Sequence, residues 1–152
     1  MIMEEGDIFP DFETINQDGN RVALENLRGK KIVLYFYCKD STPGCTLESL
    51  DFAKHYDKFK RKNAEIVGMC LGTVASHKKF AKDCNLPFDL WLDEDARIAK
   101  NIGLWKEKNL YGRKIFGIER TTFVLDEKRR VVRIFQRVKV KNHWKEVLES
   151  LE

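Results

Sequence analysis

Apolar positions fall into blocks of two kinds along this chain. Lys31 to Cys38 is almost continuously apolar and rich in β-branched and aromatic residues, the pattern of a strand buried on both faces. Glu65 to Leu71 repeats it. Between them, Pro43 to Lys62 has helical spacing, with Leu47, Phe52, Tyr56 and Phe59 expected on the inner face. That segment ends in the cationic run KFKRKN, where cations suit a helix C-terminus and Asn63 suits the cap. Ala75 to Cys84 reads as a short helix stopped by Asn85, and Asp93-Glu94-Asp95 opens another. Arg120 to Asp126 and Arg130 to Arg137 read as strands paired around Glu127 to Arg129. The last helix carries Trp144, Val147, Leu148 and Leu151 at i, i+3, i+4, i+7. Phe12 to Leu24 predicts a hairpin turning at Asp18-Gly19. The order of elements predicts an α/β fold, a central mixed β-sheet with helices on both faces and an N-terminal hairpin. No repeat or Pro/Gly/Ser linker interrupts it, so one domain over residues 1–152 is expected.

Composition narrows the function classes. With 152 residues, 43% of them hydrophobic, the chain can build a core without disulfides. Its net charge of +4, from 28 basic and 24 acidic residues of interspersed sign, does not call for a nucleic-acid partner. The opening MIMEEGDIFP is acidic and short of apolar residues, unlike a secretory signal. The longest apolar run, Ile32 to Cys38, is too short to cross a bilayer. A cytoplasmic protein with no membrane partner is therefore expected. His55, His77 and His143 are not at ligand spacing from one another, and CxxC, GxGxxG and GxxxxGK[ST] are absent. Neither a metal nor a cofactor is expected.

The chemistry concentrates in YFYCKDSTPGCTLESL, Tyr35 to Leu50, which holds Cys38 and Cys45. Thr42 suits a helix N-cap and Pro43 the first helical position, which places Cys45 in the first turn, at the positive end of the helix dipole. The thiolate is the nucleophile. An ordinary cysteine is only about 3% ionised at pH 7, and helix N-termini or nearby cations raise that fraction greatly. A loop location would also leave the sulfur open to a small substrate. Placement alone leaves a second reading, in which Cys45 is a small apolar filler.

The same stretch resembles the active-site loop of the peroxiredoxins, most closely the peroxiredoxin Q or bacterioferritin comigratory protein group, whose pattern is Y-P-K-D-x-T-P-G-C-T-x-E. Thr42, Pro43, Gly44, Cys45, Thr46 and Glu48 match it. Gly6 to Phe12, Gly103-Leu104-Trp105, Tyr111-Gly112 and Gly117 to Asp126 are similar to the same group, so the resemblance covers nearly the whole chain. It implies a thioredoxin-like fold and a thiol-dependent peroxidase acting on hydrogen peroxide and organic hydroperoxides, reduced by thioredoxin or another thiol reductant, as a monomer. It implies that Cys45 is the peroxidatic cysteine, oxidised to a sulfenic acid. Thr42, the Gly44 and Cys45 amides and Arg120 would bind the peroxide, with Arg120 also stabilising the thiolate. Glu48 would hold Arg120 in place.

Two positions depart from the family pattern. Cys38 stands where the family has a proline that packs over the site; it would act as a shield or, less expectedly, as a local trap for the sulfenic acid. Leu50 occupies a common position of the resolving cysteine, so resolution falls to Cys84 or to an external thiol. Cys84 lies one helical turn beyond the position after Phe80 where relatives carry that cysteine. Cys70, within a buried strand, is expected to be inert. Other readings stay open at this point: a thiol–disulfide oxidoreductase using Cys45 with Cys84, or a chaperone or interaction module on the same fold.

Overall fold

The computed structural model describes residues 2–151. At its centre lie β3 (Lys31–Phe36), β4 (Ala64–Cys70), β5 (Asp89–Leu92), β8 (Thr121–Leu125) and β9 (Val131–Phe135), in the order β5-β4-β3-β8-β9. The sheet is mixed: β3, β4 and β5 run parallel, while β8 is antiparallel to both β3 and β9. The predicted N-terminal hairpin is present as β1 (Glu13–Ile15) and β2 (Arg21–Ala23).

β3 is the middle strand, and its unbroken apolar run has the predicted cause. Ile32, Leu34 and Phe36 face one core with Phe9, Met69 and Phe123. Val33 and Tyr35 face another, which Tyr37 joins just beyond the strand. Four helices cover the second face: α1 (Pro43–Lys54), α2 (Tyr56–Arg61), α3 (Val74–Asp83) and α5 (His143–Glu149), through Phe52, Phe59, Phe80 and Val147. The short α4 (Arg97–Asn101) covers the first face with Ile98 and Ala99. Among the described residues no helix is long and apolar enough to cross a membrane.

The structure corrects three expectations. Pro43 to Lys62 is not one helix: it breaks at His55 (φ −106°, ψ 10°), whose ring stacks on Trp144 at 3.4 Å. Leu47 is not an inner-face residue and is 49% exposed. The buried stripe of α1 is instead Cys45, Glu48, Ser49 and Phe52, an i, i+3, i+4, i+7 set in which polar residues occupy half the positions. β5 and the hairpin of β6 (Trp105–Leu110) and β7 (Arg113–Ile118) were not anticipated. The hairpin strands, WKEKNL and RKIFGI, do not alternate cleanly, and their turn, Tyr111-Gly112 with φ of 51° and 76°, is the sole local signal.

Gly68 in β4 shows how tightly the helix-covered face is packed. A Cβ there would lie 2.7 Å from Leu90 Cδ2 and 2.9 Å from Tyr35 Cζ. Gly68→Ala should therefore destabilise the protein by about 1–3 kcal/mol. Thermal unfolding checks this; an unchanged midpoint would mean that the strand does not need a glycine.

Candidate active site

α1 starts where the sequence places it, with Thr42 extended at the N-cap (φ −80°, ψ 151°) and Pro43 in the first turn. Thr46 N–H makes the first helical bond, to Thr42 O at 2.8 Å; the Gly44 and Cys45 amides precede it, among the open donors of the first turn. Thr42 does not cap with its side chain. Its hydroxyl donates to Lys39 O at 2.8 Å, because the chain doubles back there through Ser41 (φ 64°).

One guanidinium organises the site. Arg120, just ahead of β8, donates from Nη1 to Glu48 Oε1 at 2.7 Å and from Nη2 to Cys45 Sγ at 3.3 Å. Glu48 is 1% exposed, and its Oε2 has no partner among the described residues. Burial pushes its carboxyl up to about 7 against the pull of Arg120. Gly44 permits this approach: a Cβ on it would stand 3.2 Å from Arg120 Nη2.

The Cys45 thiol is drawn down to about 4. The largest cause is a hydrogen bond from the Cys38 thiol; Thr42, the Lys39 backbone amide and the Arg120 charge add to it, while burial opposes. The Thr42 hydroxyl lies near the sulfur, with its one proton directed to Lys39 O.

The structure thus brings together Cys45, Arg120, Glu48, Thr42, Gly44 and Cys38. It also changes two expectations. Cys45 is 0% exposed, so its sulfur is not open to solvent; the buried stripe of α1 turns it towards the core. Cys38 is exposed, one residue beyond Tyr37, and its thiol faces Ile118 O at 3.7 Å. Cys84 is half-buried as the C-cap of α3, and burial pushes its thiol up. Cys70 is 2% exposed and its thiol is pushed up by burial.

A supporting node was not visible in the sequence. Asp40 accepts from Tyr37 Oη and Ser76 Oγ, each at 2.7 Å, and pairs with His77 Nδ1 at 2.5 Å. Burial would raise its pKa, but His77, Tyr37 and Ser76 together hold it below the usual range. The node ties the loop before Cys45 to the start of α3. No spacing rule links residues 40 and 77, so nothing local announced it. Among the described residues no group of three or more His, Cys, Asp or Glu is placed to hold a metal.

Residues 6–134 match the model of the AhpC/TSA family. The chain belongs to that family. It is 40% identical to peroxiredoxin Bcp of Bacillus subtilis over 152 residues, covering 100% of this chain and 97% of the relative. The structure of PrxQ from Xylella fastidiosa superposes with a TM-score of 0.93 at 33% identity, over 99% of this chain and 96% of that one. Bacterioferritin comigratory protein from Xanthomonas campestris, studied for alkyl peroxide reduction, gives 0.88 at 37% identity, over 92% and 89%. The fold is thioredoxin-like, and the chain is a peroxiredoxin, a thiol-dependent peroxidase with a peroxide substrate and a thiol reductant.

The lowered thiol makes a testable pH profile. Because the folded-state pKa lies below that of a free thiol, the folded protein binds fewer protons through that interval. The resulting stabilisation is present above the free-thiol value and is lost as pH falls through about 4. Iodoacetamide alkylation of Cys45 should then be half-maximal near pH 4. Arg120→Met should move that midpoint upward; an unmoved midpoint would remove Arg120 as a stabiliser of the thiolate.

Proposed function

We propose that Cys45 is the peroxidatic nucleophile and that Arg120, Thr42 and Gly44 form its peroxide site. The observation that carries this is the Arg120 guanidinium, which spans Glu48 and the Cys45 sulfur. A cation held on one side by a buried carboxylate and offered on the other to a sulfur is suited to charge that moves from sulfur to oxygen during reaction.

The Cys45 thiolate attacks the terminal oxygen of ROOH and the O–O bond breaks. Cys45 becomes a sulfenic acid, and the departing alkoxide takes a proton from solvent to leave as ROH. Thr42 keeps its proton on Lys39 O, which leaves its lone pairs to accept from the peroxide O–H. Arg120 Nη2, already 3.3 Å from the sulfur, meets the developing negative oxygen. Cys38, exposed, and Thr42, half-buried, belong to the loop that precedes the buried sulfur. Glu48 positions Arg120 and does not touch peroxide.

Hydrogen peroxide and organic hydroperoxides are the proposed substrates. The Xanthomonas campestris relative, named for alkyl peroxide reduction, supports the second class. Thioredoxin is the proposed reductant, and a cytoplasmic monomer of one domain the proposed form.

Peroxide-dependent NADPH oxidation, coupled through thioredoxin and its reductase, tests the assignment. Cys45→Ser should abolish turnover, and Arg120→Met should lower the second-order rate constant with peroxide by about 10²–10³-fold. Glu48→Gln, which keeps one acceptor for Arg120, should cost less. Turnover surviving in Cys45→Ser would overturn the proposal.

A further inference from the structure

We propose that Asp40 is a positioning residue for the peroxide step: clamped by Tyr37, Ser76 and His77, it fixes the Lys39 carbonyl that aims the Thr42 hydroxyl. This rests on Thr42 and Cys45 forming the peroxide site.

The clamp is the first observation. Asp40 is buried in the loop between β3 and α1. Its Oδ1 accepts from Tyr37 Oη at 2.7 Å. Its Oδ2 accepts from Ser76 Oγ at 2.7 Å and pairs with His77 Nδ1 at 2.5 Å. Each partner is anchored in turn. Tyr37 N–H bonds Met69 O at 3.1 Å, which continues the β3–β4 pairing one residue past the strand. Its ring is buried, with centroid separations of 5.5 Å from Tyr35 and 5.8 Å from Phe80. His77, also buried, donates from Nε2 to Cys70 O at 3.1 Å, at the end of β4. Ser76 stands in the first turn of α3, where its N–H donates to Thr73 Oγ1 at 3.1 Å. One loop carboxylate is thus tied to the ends of two strands and to the start of a helix.

The second observation is the short path from that carboxylate to Thr42. The Lys39 carbonyl and the Asp40 nitrogen belong to one planar peptide unit, so a shift of Asp40 carries that carbonyl with it. Lys39 O is where the Thr42 hydroxyl sends its proton, at 2.8 Å. Between Asp40 and Thr42, Ser41 adopts φ 64°. That value is uncommon for a residue with a Cβ, and it persists where the surroundings over-determine it. Here both neighbours are held. Asp40 has its three side-chain partners, and Thr42 has Lys39 O and, on its own carbonyl, Thr46 N–H at 2.8 Å.

The consequence is one of orientation. With Asp40 clamped, the Thr42 proton points at Lys39 O, and the lone pairs are left to accept the peroxide O–H. With Asp40 released, Ser41 relaxes, Lys39 O turns and the hydroxyl rotates. The Thr42 proton then competes for the place that the peroxide proton must take. Arg120, Glu48 and Cys45 are joined by their own bonds, so releasing Asp40 spares the guanidinium and is felt at Thr42.

A double-mutant cycle tests this, read as the second-order rate constant of Cys45 with hydrogen peroxide in stopped flow. Thr42→Val removes the hydroxyl and should lower that constant by at least about tenfold. Asp40→Asn keeps the shape of the side chain, removes its charge and should lower the constant by about tenfold. The double variant should be no slower than Thr42→Val alone. A clamp that served only the fold would give losses that multiply, and multiplied losses would overturn the inference. So would an Asp40→Asn protein that reacts at the wild-type rate while Thr42→Val is slow. A Thr42→Val protein at the wild-type rate would instead overturn the peroxide-site reading of Thr42, and the inference with it. Ser76→Ala, at an exposed position of α3, covers the case in which Asp40→Asn fails to fold. It removes one of the three partners and should slow the reaction about threefold alone and not at all beside Thr42→Val. A wild-type rate for Ser76→Ala alone would then count against the clamp.

Discussion

A sulfur that carries negative charge and is wholly buried must be surrounded by donors, and that requirement accounts for much of this molecule. Arg120 arrives from the edge of β8, Thr42 and the Lys39 amide from the loop after β3, and Cys38 from the end of that strand. Each comes from a different stretch of chain. The sheet order matters because β3 and β8 are neighbours, which is what lets residue 120 meet residue 45. Glu48 closes the arrangement. Its carboxylate is expensive to bury alone, and a guanidinium beside it offsets that cost only when the geometry is good. Arg120 is thus held by two anionic partners, neither of which is comfortable without it.

The helix-covered core serves the same end. Tyr35 Oη bonds Ser49 Oγ at 2.8 Å, so the polar residues in the buried stripe of α1 are matched from the sheet below. The first turn of α1 is consequently fixed in depth and rotation. Asp40 fixes the loop leading into it through Tyr37, Ser76 and His77. The Cys45 sulfur is placed by rigid elements on one side and by a bonded loop on the other.

What the sequence revealed, and what it did not, follows from how local each cause is. β3, β4 and α1 announce themselves because their burial patterns repeat within a few residues. Cys45 stands out for the same reason: Thr42 and Pro43 are its near neighbours. Arg120 and Glu48 were named through the family pattern, and no local rule pairs residues 48 and 120. The Asp40–His77 contact had no signal of either kind. Leu47 misled because an apolar side chain in a helix suggests burial, whereas the stripe here includes Glu48 and Ser49. The β6–β7 hairpin was missed because its strands mix polar and apolar residues on both faces. Its Lys108 meets Ile118 O, the carbonyl that the Cys38 thiol also faces, and neither contact has a local signal.

Cys38 in place of a proline changes more than the cover of the site. Proline fixes φ and offers no backbone N–H. At residue 38 the backbone keeps both freedoms, and the side chain there is small and exposed while the Cys45 sulfur is buried. The entrance at that residue is thus shaped by a rotamer and not by a ring.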